Sequence, residues 1–192
     1  DAAGKPLPTK PPGNIAGRAG SNETPQQCSV GALPVGKGWL VVIHSGAPNY
    51  WARTSGAQMV IKVTAEGDKD AQADLDTSVG KKGHGSSGAG IAGIWPWGGS
   101  ALAPAGQYYI AVWQRFHTGG ETGMDLVNGD IRASRVDGCK PLDGDGGVPV
   151  IAGATDELDP ELAGDGAGRL LCVYEKVVDG KSSIAARTLL TR

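Results

Sequence analysis

Chemistry in this sequence would have to come from a small set of residues. His44, Gln114 and Glu175 each stand directly after an apolar run. A metal site needs histidine and carboxylates converging on one point. One His and one Glu on separate segments read instead as polar residues at strand ends. His84 and His117 lie in glycine-flanked stretches and read as solvated imidazoles. Asp143-Gly144-Asp145-Gly146-Gly147 has the alternating carboxylates and glycines that open a calcium loop, but the twelfth residue counted from Asp143 is Ala154 rather than the bidentate Glu. Asp143 and Asp145 are therefore the metal candidates, for a weak, irregular Ca2+ site, set against the plainer reading of a solvated turn.

Gly85-Ser86-Ser87-Gly88 is a superficial match to a serine nucleophile elbow, because no strand-to-helix turn surrounds it. Glycosides are hydrolysed by carboxylates facing each other across the scissile bond. Asp130, Asp145 and Asp165 are the nominees for that chemistry. The aromatic residues offer a binding hint, since Tyr50-Trp51 and Trp95-Pro96-Trp97 fall in loops. Flat exposed rings stack on sugars or anchor a protein partner, which makes Tyr50, Trp51, Trp95 and Trp97 the candidate contacts. Their other reading is as plugs between packed sheets. Cys28, Cys139 and Cys172 form no C-x-x-C pair, and one disulfide with one thiol or three buried thiols are both open. There is no C-x-x-C-H haem attachment site.

The elements that position these residues are strands. The 192 residues include 32 Gly and 12 Pro but one Phe and two Met, a composition rich in turns and poor in long apolar helices. A net charge of −2 with both signs scattered argues against gripping nucleic acid phosphates. Apolar runs such as Trp39-Leu40-Val41-Val42-Ile43 are far short of a membrane-spanning helix. The sequence begins Asp1-Ala2-Ala3-Gly4 with no signal peptide, and the expectation is that an upstream part was removed.

Self-comparison reveals three copies of one unit. Ile-Ala-Gly recurs at Ile15, Ile91 and Ile151, and each copy is followed by an apolar strand: Trp39 to Ile43, Tyr109 to Trp113 and Leu170 to Tyr174. A second strand with a basic residue near its end comes next, at Met59 to Val63, Ile131 to Val136 and Ile184 to Leu189. Their patterning is closer to a period of two than to 3.6. Lys5-Pro6-Leu7 echoes Lys140-Pro141-Leu142. Framed by these tripeptides the chain holds three repeats in a circular shift, so that a strand from one terminus completes the sheet begun at the other. A Gly/Ser-rich insertion at about residues 68–100 lengthens the first repeat. Residues 1–192 read as a single three-repeat β domain.

Gly129-Asp130-Ile131-Arg132-Ala133-Ser134-Arg135-Val136-Asp137-Gly138, together with Tyr109 to Trp113, resembles the repeats of bacterial extracytoplasmic β-propeller proteins. Leu171 to Glu175 and Ile184 to Arg187 match in the last copy, whereas Met59-Val60-Ile61 departs from the acidic start in the first. The resemblance implies an all-β fold of roughly four-stranded antiparallel sheets packed face to face, in a secreted, periplasmic or surface protein. Three such sheets imply a partial propeller or half of a six-bladed ring. The expected function is a non-enzymatic binding or structural module that docks a protein or glycan partner, or that self-associates to complete the ring. The alternative is a fragment of a glycosidase- or sialidase-like propeller enzyme, although the sialidase S-x-D-x-G-x-T-W box is absent.

Overall fold

In the computed structural model, residues 26–47, 55–77, 97–119 and 125–191 are described. All the described regular structure is β, in twelve strands. No helix among these residues is long and apolar enough to cross a membrane.

The first sheet has the order β1-β2-β3-β4, from β1 (Gln26–Val35), β2 (Gly38–Ala47), β3 (Ser55–Val63) and β4 (Lys69–Asp76). The second is built from β5 (Trp97–Ala105), β6 (Tyr108–Gly119), β7 (Asp125–Asp137) and the short β8 (Lys140–Pro141), with β9 (Val148–Ile151) also pairing with β7. The third has the order β10-β11-β12, from β10 (Asp156–Gly164), β11 (Arg169–Val178) and β12 (Lys181–Leu190). Every pairing within the three sheets is antiparallel.

The apolar runs found in the sequence are the second and third strands of each sheet. Two-residue turns join several of them. Gly36 and Gly106 supply positive φ between the first and second strands of their sheets, and Asp179-Gly180 does so between β11 and β12. Positive φ at such positions matches hairpin twist, and Gly or Asp adopts it at low cost.

Among the described residues each sheet is assembled from one contiguous stretch of chain, and the strand expected from the other terminus falls in residues 1–25, outside the described residues. Two expectations need correction. Ile151 ends β9 in the second sheet, so this copy of Ile-Ala-Gly marks the end of a unit, not its start, while the copies at Ile15 and Ile91 lie outside the described residues. The supposed insertion also begins with structure, since Lys69–Asp76 is the fourth strand of the first sheet and Trp97 opens the second. The acidic, alternating composition of β4 concealed it: Asp70, Gln72 and Asp74 are exposed while Leu75 is buried.

The sheets stack with one polarity. Leu40 and Val42 of β2 face the second sheet, packing with Leu102, Ala111 and Trp113. Ile110 and Val112 of β6 occupy the same repeat positions and face the third, packing with Leu170 and Cys172. We call this the forward face of each sheet. The fourth strands add one apolar side chain each to it, Leu75 from β4 and Ile151 from β9, both buried. The first strands approach each other closely: a Cβ on Gly31 would lie 2.8 Å from Ala101 Cα, and one on Gly99 3.0 Å from Asp159 Cα. Each first strand carries a bulge at the corresponding place, between Cys28 and Gly31, Trp97 and Ser100, and Leu158 and Glu161. A bulge twists its strand and re-aims the side chains around it.

Candidate functional site

The carboxylates nominated for a metal are held by protein groups. Arg135 Nη2 lies 2.6 Å from Asp143 Oδ1, and the Arg135 backbone N–H donates to Asp143 Oδ2 at 2.6 Å. These charge-assisted bonds hold the Asp143 carboxyl below the usual carboxylate range and raise the guanidinium. Asp145 accepts from Thr77 N at 2.7 Å and Thr77 Oγ1 at 2.8 Å, tying the end of β4 to the second sheet. No group of three or more His, Cys, Asp or Glu gathers as metal ligands among the described residues. Asp143 and Asp145 are thus engaged by protein groups and act as tethers.

The Arg135–Asp143 pair has a counterpart. Lys62 Nζ lies 2.7 Å from Asp70 Oδ2, again a basic residue late in a third strand bound to an Asp eight residues on. Lys62 and Arg135 hold equivalent register positions, opposite Leu40 and Ile110. The sequence carried this spacing, but only the register shows its purpose of fastening the third strand to the chain that follows it. Thr188, opposite Leu171, takes the position in the third sheet.

The glycosidase nominees do not converge. Asp130 is buried beside β6, opposite Arg115. Asp165 is at the other end of the sheets, beside the Gly106 turn, where it accepts from Arg169 Nε at 2.7 Å. That guanidinium, with the N–H groups of Ala167 and Arg169, pulls the Asp165 carboxyl down to about 2. Of the aromatic nominees, Tyr50, Trp51 and Trp95 lie outside the described residues. Trp97 opens β5, its backbone opposite Arg115 at the bulge.

A polar seam between the first and second sheets was not foreseen. Asp76 is fully buried, accepting from Trp113 Nε1 at 3.3 Å, with Arg115 Nη1 at 3.5 Å. Arg132 donates through Nη2 to Gly147 O at 2.9 Å and through Nε to Gly146 O. Burial first, then the neighbouring Arg115 charge, lowers the Arg132 guanidinium from its ordinary value. Gly147, with φ of 55°, admits no side chain, because a Cβ would strike the Ala133 carbonyl and the Trp113 ring. Carboxylate, indole and guanidinium are linked here across the seam by a hydrogen bond and an ion pair. Between the second and third sheets Gln114 does comparable work, its Oε1 accepting from Asp159 N, inside the β10 bulge, at 3.0 Å.

The third sheet differs from the others. On its forward face Leu171 and Ile184 are 47% and 76% exposed, and Leu190, at the end of β12, is 64% exposed. The equivalents of Leu171 in the first two sheets, Leu40 and Ile110, are 1% and 4% exposed. Glu175, which takes the place of Gln114, bonds within its own sheet to Ser182. On the opposite side of this sheet a cleft of about 260 Å³ lies against the second sheet, walled by Ile110, Val150, Leu170 and Leu189, with Arg135 and Asp143 in its lining. Cys139 and Cys172 are free thiols. Burial raises both, Cys172 to about 11.

Comparison with family models, with curated proteins and with solved structures finds no match.

Proposed function

We propose that this chain is a non-enzymatic binding or structural module of propeller-like build, working outside the cytoplasm, which docks a protein partner on the forward face of its third sheet. The observation that carries this reading is the exposure of Leu171 and Ile184 where the equivalent face of each preceding sheet is covered by its neighbour. Apolar surface grouped on one face marks an interaction site more strongly than single exposed residues do. Glu175 adds a hydrogen-bond acceptor at the position from which Gln114 reaches the adjoining sheet.

The propeller element of the proposal is supported by the uniform stacking polarity, the close first strands and the repeated bulge. The chain's own resemblance to extracytoplasmic propeller repeats supports the location. A glycosidase gains nothing from the positions of Asp130, Asp145 and Asp165, which serve separate local contacts.

The test is partner capture with the intact chain beside a Leu171→Lys/Val173→Lys variant, followed by affinity measurement on any captured protein after its identification and purification. The proposal expects the variant to bind at least about tenfold more weakly, a loss of about 1.4 kcal/mol. Equal affinity for both chains would overturn the assignment of the face. Turnover of a glycan by the intact chain would overturn the non-enzymatic reading.

A further inference from the structure

Among the described residues three non-glycine residues hold a positive φ: Asn128 at 48°, Asp159 at 46° and Asp179 at 50°. Asn and Asp visit this left-handed region more readily than other side chains. Asn128 and Asp179 are each followed by a glycine, which leaves the next residue free to adjust. Asp159 is followed by Pro160. A proline ring crowds the N–H and Cβ of the residue before it and drives that residue to extended backbone, with φ of about −120°. Asp159 stands far outside that range, and a residue so placed is strained and persists only where its surroundings over-determine it.

The surroundings do so here. Asp159 and Pro160 lie in the β10 bulge, at the place of Ser29-Val30 in β1 and Gly98-Gly99 in β5. On one side of the strained torsion the Asp159 N–H donates to the buried Gln114 Oε1 at 3.0 Å. On the other side Pro160 is buried. A Cβ on Gly99 would lie 3.5 Å from Pro160 Cδ and 3.0 Å from Asp159 Oδ1, so ring and carboxylate both rest against β5 at this glycine. Asp159 itself is exposed, which leaves it open to water.

We infer that the peptide bond between Asp159 and Pro160 is a self-cleavage site, cut in the folded chain by the Asp159 carboxyl group. The sequence contains no other Asp-Pro pair. One side-chain oxygen of Asp159 attacks the main-chain carbonyl carbon of the same residue and closes a five-membered anhydride, a ring closure that needs no second molecule. The C–N bond to Pro160 breaks, and the proline nitrogen takes a proton from acidic solvent and leaves as a secondary amine. One water then opens the anhydride, so Asp159 ends its fragment with two carboxyl groups and the sum is hydrolysis of one peptide bond. Breaking the C–N bond removes the crowding between the ring and Asp159, so strain held by the fold is released along the reaction.

After the cut both pieces of β10 keep their partners, residues 156–158 on 175–177 and residues 161–164 on 170–173. The nicked chain stays one particle until it is denatured. This inference does not use the forward face of the third sheet, so it and the docking proposal can fail separately.

The experiment is incubation of the unmodified chain at the lowest pH where its near-ultraviolet circular dichroism stays native, beside the same chain in guanidinium chloride at that pH. Fragments 1–159 and 160–192 are read by mass spectrometry after denaturation. Cleavage should run at least about tenfold faster in the folded chain, the order of rate gain that backbone strain of this kind supplies. Asp159→Asn and Pro160→Ala, each checked for native circular dichroism, should stay intact over the same time. Gln114→Met, which cannot accept from the Asp159 N–H, should bring the folded rate toward the rate in denaturant. Cleavage no faster in the folded chain overturns the inference, because the bond then shows only the acid lability of its dipeptide. Cleavage of Asp159→Asn at the unmodified rate overturns the role of the carboxyl, and an unchanged rate in Gln114→Met overturns the restraint at the Asp159 N–H.

Discussion

The forward faces of the second and third sheets carry nearly the same residues and live in different surroundings. Ile110 and Val112 of β6 are buried against Leu170 and Cys172, while Leu171 and Val173 of β11, at equivalent positions, face outward. Sequence type therefore does not decide which surface becomes core. The decisive factor is whether another of the described sheets packs on that face. One pattern can build a domain where it is covered and offer an interface where it is not.

This contrast can be broken by truncation. The largest effect is expected at Trp113, fully buried in the seam and bonded to Asp76. Trp113→Ala should cost about 3–5 kcal/mol in urea unfolding, from the cavity and the lost indole hydrogen bond to Asp76. Leu40→Ala should follow at about 2–5 kcal/mol. Leu171→Ala, its repeat equivalent, should stay within about 0.5–1 kcal/mol in a single-chain preparation, as surface changes do. Equal losses at Leu40 and Leu171 would mean that the third sheet's forward face is covered in solution.

The tethers sharpen the comparison on a smaller scale. Asp143→Asn should cost up to about 1 kcal/mol at neutral pH, discounted because the Arg135 side chain is 41% exposed. The folded state lowers the Asp143 carboxyl below its ordinary value of 3.8, so the pair's contribution is complete above about pH 4 and is lost as pH falls through the lowered value. Acid unfolding of the Asn variant should lack that part of the pH dependence, and an unchanged acid limb would contradict the tether. The smallest effect concerns the thiols. Alkylation of the native chain, read by mass spectrometry, should modify half-buried Cys139 before buried Cys172, and the reverse order would contradict the packing between the second and third sheets.

Much of the scaffold was legible because side-chain period and turn residues act locally. The apolar runs at Trp39, Tyr109 and Leu170 and their basic-tailed partners all prove to be strands. Two kinds of feature escaped. Strand β4 shows one buried Leu among acidic residues, a pattern that a half-exposed outermost strand shares with a loop. The seam of Asp76, Trp113, Arg115 and Arg132 joins residues distant along the chain, and no spacing rule connects them. Asp143 carries two readings for a related reason, since alternating carboxylates and glycines suit a cation site and a salt-bridged turn equally well. Only the register of β7 brings the Arg135 guanidinium to its carboxylate.

The contiguity of each sheet also governs how the chain reaches its native state. Strands that are neighbours in a ladder are neighbours in the chain, apart from the short step from β7 to β9, so closing each sheet orders little intervening backbone. Low contact order of this kind speeds the folding of β proteins, which long-range pairing otherwise slows. Each sheet can thus nucleate as it leaves the ribosome and wait for the next to arrive. A gene duplication that adds another such unit would lengthen the array without rewiring any strand already in place.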